Sequence, residues 1–153
     1  MISATHFHAM SVHFPIALLI FGFMSEIIAF FYNKDFFHQS AFYLIISGTL
    51  GTVVAYLAGH VAGEGMEEGS LNTALLLHEQ AATLSLWVTI FTAVVYLVIY
   101  FLKYDRPLFR ILSILLFAGV IGLISRTGYL GGELVYKHGA GVTLALPDFS
   151  SPD

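Results

Sequence analysis

Histidine is the residue of this chain with the most chemistry to offer, and its placement is uneven. Three histidines, His6, His8 and His13, lie within eight residues, immediately before a long apolar run that Pro15 opens. Proline is favoured in the first turn of a helix, because its missing N–H would have no partner there anyway. The pattern predicts that His13 lies at the mouth of a membrane-spanning helix. Imidazole in that position can bind a metal or haem, carry a proton, or simply lie at the interface.

The composition indicates a membrane protein and excludes several kinds of chemistry. Of the 153 residues, 58% are hydrophobic and 10% are charged, whereas soluble domains carry about 25% charged residues. The absence of cysteine excludes disulfides, iron–sulfur ligation, covalent c-type haem attachment and thiol catalysis. The net charge of −4 argues against nucleic acid as a partner.

Four apolar segments are each long enough to cross a bilayer, which takes roughly 20 residues. They predict transmembrane helices over about residues 14–32, 40–59, 79–102 and 108–125, followed by a tail over 126–153. The predicted fold is a single all-α membrane domain, residues 1–153, in which four transmembrane helices form an up-and-down bundle. The glycine-rich part of the tail is too short and too polar to span, so we expect it to lie on the surface as a lid.

The basic residues of the loops predict an orientation. Lysine and arginine are enriched in cytoplasmic loops, and the links after the first and third helices carry more of them than the opposite side does. These residues are Lys34, Lys103, Arg106 and Arg110 on the first side, and Arg126 and Lys137 on the other. We therefore expect both termini on the outer side of a bacterial inner membrane, facing the periplasm.

This topology gathers six of the seven histidines at one end of the bundle, because the ends of neighbouring antiparallel helices lie together. They come from the N-terminal stretch, the end of helix two, the start of helix three and the tail, and are His6, His8, His13, His60, His78 and His138. Histidine is also comfortable at a membrane interface. Each of the six could therefore be there without binding anything.

A b-type haem is the first cofactor that this grouping suggests. Haem needs one or two imidazoles on facing helices, an apolar slot, and polar or cationic groups at one edge for the propionates. We expect His13 and His78 to be the ligands, with His60 and His8 as substitutes. Arg126, at the outer end of helix four, is the expected propionate partner.

Two alternatives remain open at this point. His60, Glu64 and Glu67 have helix-like spacing, and His6 and His8 add nitrogen ligands. Mixed histidine and carboxylate ligands suit zinc, manganese or iron without a porphyrin. The neighbouring glycines also fit a solvated acidic loop. The second alternative is a structural subunit of a larger membrane complex that has no cofactor of its own.

Glu26 is an acidic residue well inside a predicted membrane span. An ionised carboxylate is costly in a bilayer, so such a group is normally protonated, paired or functional. Glu26 could carry protons between the two sides of the membrane. It could also hydrogen-bond as a neutral acid to a hydroxyl such as that of Ser47, Thr49 or Ser113.

Two motifs together resemble a known family. They are His8-x4-His13-Phe14-Pro15-Ile16-Ala17-Leu18, with an acid in helix one and a histidine opening helix three, and Gly131-Gly132-x-Leu134-Val135-Tyr136-x2-Gly139-x-Gly141-Val142. The chain resembles the bacterial membrane family called domain of unknown function 2231. Glu26 stands where that family more often has aspartate, and Ala9 where proline is common.

What the resemblance implies is a four-helix membrane protein in a respiratory setting. Some members of the family are fused to, or found beside, c-type cytochrome modules. The resemblance therefore implies a haem-binding, electron-transferring role, with a c-type cytochrome or other respiratory-complex subunits as partners. In the lipid bilayer, a quinone is a further candidate partner. His8, His13, His78 and the segment 131–142 are the positions that match. The resemblance implies no particular reaction.

Overall fold

The part of the chain that the computed structural model describes, residues 3–32, 34–64, 71–103 and 107–142, is almost entirely helical. Its elements in order are α1 (Ala4–Ser11), α2 (His13–Tyr32), α3 (Asp35–Gly63), α4 (Leu71–Leu102) and α5 (Pro107–His138). No strand occurs in these ranges. The all-α fold expected from the sequence is confirmed.

Four membrane-length helices are present among these residues, as predicted. They are Ala4–Tyr32, which joins α1 and α2, then Asp35–Gly63, Leu71–Leu102 and Pro107–His138, and each is long and apolar enough to cross a bilayer. Lipid offers no hydrogen-bond partners to the backbone, and a helix satisfies its own N–H and C=O groups. Long apolar runs with few charges therefore fold as helices here.

The helices form a closed bundle in chain order. α2 packs on α3, α3 on α4, and α4 on α5, while α5 returns to contact α2 and the short α1 packs on α3. The two described ends meet at one end of this bundle, where a Cβ placed on Gly141 would lie 2.6 Å from Thr5 Cγ2. The N-terminal helix and the segment after α5 are thus on the same side of the bundle.

The core draws on all four long helices. Its buried cluster comprises Leu19, Ile45, Ala93, Tyr96, Phe117 and Val120. Glycine permits the closest approach of α2 and α3, since a Cβ on Gly48 would lie 2.8 Å from Leu19 Cγ. Small residues at such crossings let helix backbones pack tightly in lipid, where the hydrophobic effect between helices is weak.

The helices extend beyond the apolar runs by which the sequence analysis delimited them. α3 covers Asp35–Gly63 and α4 begins at Leu71, eight residues before the start expected at residue 79. The reason is that hydropathy marks the part of a helix that crosses lipid, and helical hydrogen bonding continues into the polar boundary.

The largest extension is at the end of α5, which continues to His138 where we expected a surface tail from residue 126. Gly139 follows the last helical residue, and its φ of 68° is the left-handed conformation that closes many helices. Its N–H donates to the carbonyl of Val135 at 3.0 Å. The tail beyond residue 142 lies outside the described residues.

Candidate functional site

Two histidine side chains from different helices meet at one end of the bundle. The ring centroids of His8, in α1, and His78, in α4, are 6.5 Å apart and the ring planes cross at 81°. Both residues are partly buried. The described backbones of α1 and α4 do not come within 8 Å of each other, measured between Cα atoms. These two helices therefore approach each other through their imidazole side chains.

A backbone carbonyl from a third or fourth helix holds each of the two rings. His8 Nδ1 is 2.9 Å from the carbonyl oxygen of Ala55 in α3, and His78 Nδ1 is 3.1 Å from that of Thr127 in α5. A carbonyl can only accept a hydrogen bond, so each ring donates its Nδ1–H and keeps a lone pair on Nε2 when it is neutral. Histidines that bind metals are commonly oriented by the same kind of hydrogen bond.

Glycine makes room for both rings. A Cβ on Gly59 would lie 2.8 Å from His8 Cε1, and a Cβ on Gly131 would lie 3.1 Å from His78 Cε1. Real Cβ atoms rarely tolerate such distances, so a larger residue at either position would displace the imidazole. Gly59 in α3 and Gly131 in α5 are therefore part of the site, and the extension of α5 past residue 125 is what brings Gly131 there.

A hydrogen bond between two hydroxyl side chains joins α4 to α5 near His78. Ser85 Oγ lies 2.8 Å from Thr127 Oγ1, and Thr127 Oγ1 donates its own proton to the carbonyl of Leu123 at 3.0 Å. Ser85 must then donate to Thr127, because a hydroxyl has a single proton to give. Thr127 thus contacts α4 through its side chain while its carbonyl holds His78.

The other expected ligands are exposed at the surface of the bundle. His13 is exposed, and its Nδ1 donates to the carbonyl of Ala9 in the preceding turn at 2.8 Å. His8 and His13 are five residues apart, which is about 140° around a nearly continuous helix, so they cannot face the same neighbour. His60 and Arg126 are both exposed. Of the four expected histidines, the structure brings His8 and His78 together.

The expected cluster of histidine and carboxylate ligands is described only in part. Glu64 is exposed just after α3, and Glu67 lies outside the described residues. Within the parts of the chain that the structure describes, no group of three or more His, Asp or Glu side chains is placed to hold a metal ion. The described residues offer a pair of imidazoles.

Glu26 lies at the opposite end of the bundle and is 2% exposed. Its Oε2 is 3.3 Å from His38 Nδ1 in α3, and this pairing was not foreseen. The hydroxyls expected as partners bond elsewhere: Thr49 donates to Ile45 in its own helix, and Ser113 likewise to Phe109. Ser47 is exposed.

A signal for the Glu26–His38 pair was nevertheless present in the sequence. Glu26 comes six residues before the end of α2, and His38 three residues after the start of α3. Across a short link, those positions lie at similar depth in two antiparallel helices.

Comparison with known proteins gives one match. A family model, DUF2231, described as a predicted membrane protein, matches residues 4–144. No curated protein and no solved structure matches the chain. The matched region includes both imidazoles of the histidine pair as well as Glu26.

Proposed function

We propose that this chain, which belongs to DUF2231, a family of predicted membrane proteins, is a membrane-bound b-type haem protein that transfers electrons. The observation behind the proposal is the meeting of His8 and His78, with ring centroids 6.5 Å apart. Two imidazoles that bind one metal ion through Nε2 at about 2.0 Å have centroids roughly 6 Å apart. The spacing of the pair is therefore suited to a single metal between the rings.

The hydrogen bonds of the two rings support the same assignment. The carbonyls of Ala55 and Thr127 hold the Nδ1 atoms, which leaves Nε2 as the coordinating atom in each neutral ring. Since the imidazoles come from α1 and α4, whose described backbones do not approach each other, a planar group could lie between side chains without separating two packed helices.

The number of ligands favours haem over a bare metal ion. Protein zinc sites use three or four protein ligands, and the described residues place no such set together. A porphyrin would bring four nitrogen ligands of its own, so the protein would need to provide at most two more. His8 and His78 suffice for that purpose. Arg126, which immediately precedes Thr127, is the residue that we propose to pair with a propionate.

Electron transfer is the role that two protein ligands favour. Haem b, if bound, would be held by His8 and His78, and the chemistry that it would supply is one-electron transfer. The residues of this chain hold the two imidazole rings through the carbonyls of Ala55 and Thr127, at one end of the bundle. We propose a c-type cytochrome or another respiratory-complex subunit as the electron partner there, and a quinone as the candidate partner within the lipid.

The distribution of basic residues supports a specific placement. Lys34, Lys103 and Arg110 lie at the other end of the bundle, and the positive-inside rule favours a cytoplasmic location for that end. We propose that the histidine pair faces the periplasm of a bacterial inner membrane, where c-type cytochromes are accessible.

An optical spectrum of the protein, purified in mild detergent from cells that are supplied with haem, tests this function. We expect a Soret band, an α band that sharpens on reduction, and iron in stoichiometric amount. A preparation with neither a Soret band nor iron would contradict the proposal. Elemental analysis would then detect a bare metal ion, and stoichiometric co-purification with other proteins would indicate a cofactor-free structural subunit.

A further inference from the structure

At the end of the bundle opposite the histidine pair, a buried acid is joined to a half-exposed base. Glu26 is 2% exposed, whereas the side chain of His38 is 46% exposed. The two side chains are in contact, with 3.3 Å between Nδ1 and Oε2. They connect the interior of the bundle to its surface. The proposed haem function does not use them.

A buried carboxyl group that is paired with imidazole behaves differently from one that is paired with lysine or arginine. Lysine or arginine beside a buried carboxylate would stay charged, whereas imidazole changes its charge near neutral pH. The pair can therefore hold its proton on either partner, as carboxylate with imidazolium or as carboxylic acid with neutral imidazole. Moving the proton from one partner to the other leaves the net charge of the pair unchanged.

The pair borders an opening to the surface. Glu26 and His38 line one cleft together with Lys34, Asp35 and Arg110, and its apolar wall is formed by Ala29 and Phe30. Because the cleft reaches the charged residues at the end of the bundle, water has access to His38 there. Glu26 forms the inner part of the same cleft.

Three charged side chains, those of Lys34, Asp35 and Arg110, border the same cleft as Glu26. From α4, the buried Tyr96 hydroxyl lies near Glu26 and near Ser113 of α5. Neither Glu26 Oε2 nor the Tyr96 hydroxyl has a well-formed hydrogen bond. A hydroxyl can donate to a carboxylate or accept from a carboxylic acid, so Tyr96 suits either state.

We propose that Glu26 and His38 form a proton-exchange site, in which His38 carries protons between water in the cleft and the buried carboxyl group. In the uptake step, an acid in the water gives one proton to His38 Nε2. The Nδ1–H bond breaks, and an O–H bond forms at Glu26 Oε2. No oxidation state changes, and the site takes up one proton from the water, so its net charge rises by one unit. Release is the reverse of this step.

Infrared difference spectroscopy on the full-length protein in lipid vesicles tests the proposal, because it detects a protonated carboxyl group directly. We expect a carboxylic-acid C=O band that appears on acidification and disappears when the pH is raised again. The band should be absent in Glu26→Gln and shifted in Glu26→Asp, which retains a carboxyl group if the glutamine variant does not fold. Glu133→Gln is the control, since Glu133 is paired with Lys137 at the other end of the bundle and its loss should leave the band unchanged.

The role of His38 is tested by the rate of this change after a pH jump. In His38→Gln, which cannot carry a proton, we expect the Glu26 band to appear at least about tenfold more slowly. A Glu26 band that is missing or independent of pH in the wild type would overturn the proposal. An unchanged rate in His38→Gln would overturn the assignment of His38 as the carrier. Haem content should be unaffected in these variants, so this result is independent of the proposed haem function.

Discussion

The ring planes of His8 and His78 cross at 81°, with 6.5 Å between their ring centroids, although the two residues belong to helices α1 and α4, whose described backbones do not touch. Each ring is turned toward the other by a carbonyl of a further helix, Ala55 in α3 and Thr127 in α5. One end of the bundle thus has four helices contributing to a single pair of imidazoles.

The first prediction concerns the ligands. His8→Ala and His78→Ala should each reduce the haem content by at least about tenfold, because each removes a nitrogen that the other residues near the pair do not replace. His13→Ala and His60→Ala are matched controls on exposed histidines and should retain haem. The measurement is Soret absorbance per mole of purified protein. Equal losses in all four variants would show that His8 and His78 have no special role.

The second prediction concerns the glycine beside His8. Gly59→Ala places a Cβ 2.8 Å from His8 Cε1, so the ring must move, and we expect about 1–3 kcal/mol less free energy of unfolding together with weaker haem binding. Gly119→Ala is the control, since nothing lies within 4 Å of its Cβ position, and alanine is the better helix former there by about 1 kcal/mol. Unfolding in mixed detergent micelles compares the two. If Gly59→Ala proved as stable as Gly119→Ala, the close contact between His8 and α3 would be refuted.

The third prediction concerns the end of α5. Gly139 has a φ of 68°, which costs a residue with a Cβ roughly 1–2 kcal/mol. Gly139→Ala should therefore lower the free energy of unfolding by about 1 kcal/mol, while Gly132→Ala, inside the helix and with open space at its Cβ position, should be neutral or stabilising. Hydrogen exchange of the amides near the end of α5 gives a local measurement. Unchanged protection in Gly139→Ala would argue against the left-handed cap.

The fourth prediction concerns the core. Phe117 is fully buried, whereas Phe21 is 61% exposed on the outer surface of the bundle. An unfolded helix that stays in the membrane keeps apolar surroundings, so Phe117→Ala mainly leaves a cavity, and we expect a loss of about 2–3 kcal/mol. Phe21→Ala should change the free energy of unfolding by less than about 0.5 kcal/mol. Similar losses in both variants would show that Phe21 is packed against protein.

The ligand expectations show how far sequence reasoning reached in the site. The grouping of histidines at one end followed from helix count alone, and His78 was among the residues expected as ligands. The sequence favours His13 over His8 as the partner of His78, because His13 and His78 begin predicted helices one and three at a similar depth. The rotation of the helix that carries both residues, which hydropathy does not record, directs His8 toward His78 and leaves His13 exposed.

By itself, the sequence determined the class and the spans. Long apolar runs in a chain with 10% charged residues have no stable form in lipid other than self-bonded helices, and four such runs make an up-and-down bundle. The tertiary structure alone decided which polar groups meet. It paired His8 with His78 and Glu26 with His38, and it extended α5 so that Gly131 lies against His78. These relationships depend on the rotation and crossing of helices, which the packing of small residues from several segments sets, and no single segment contains that information.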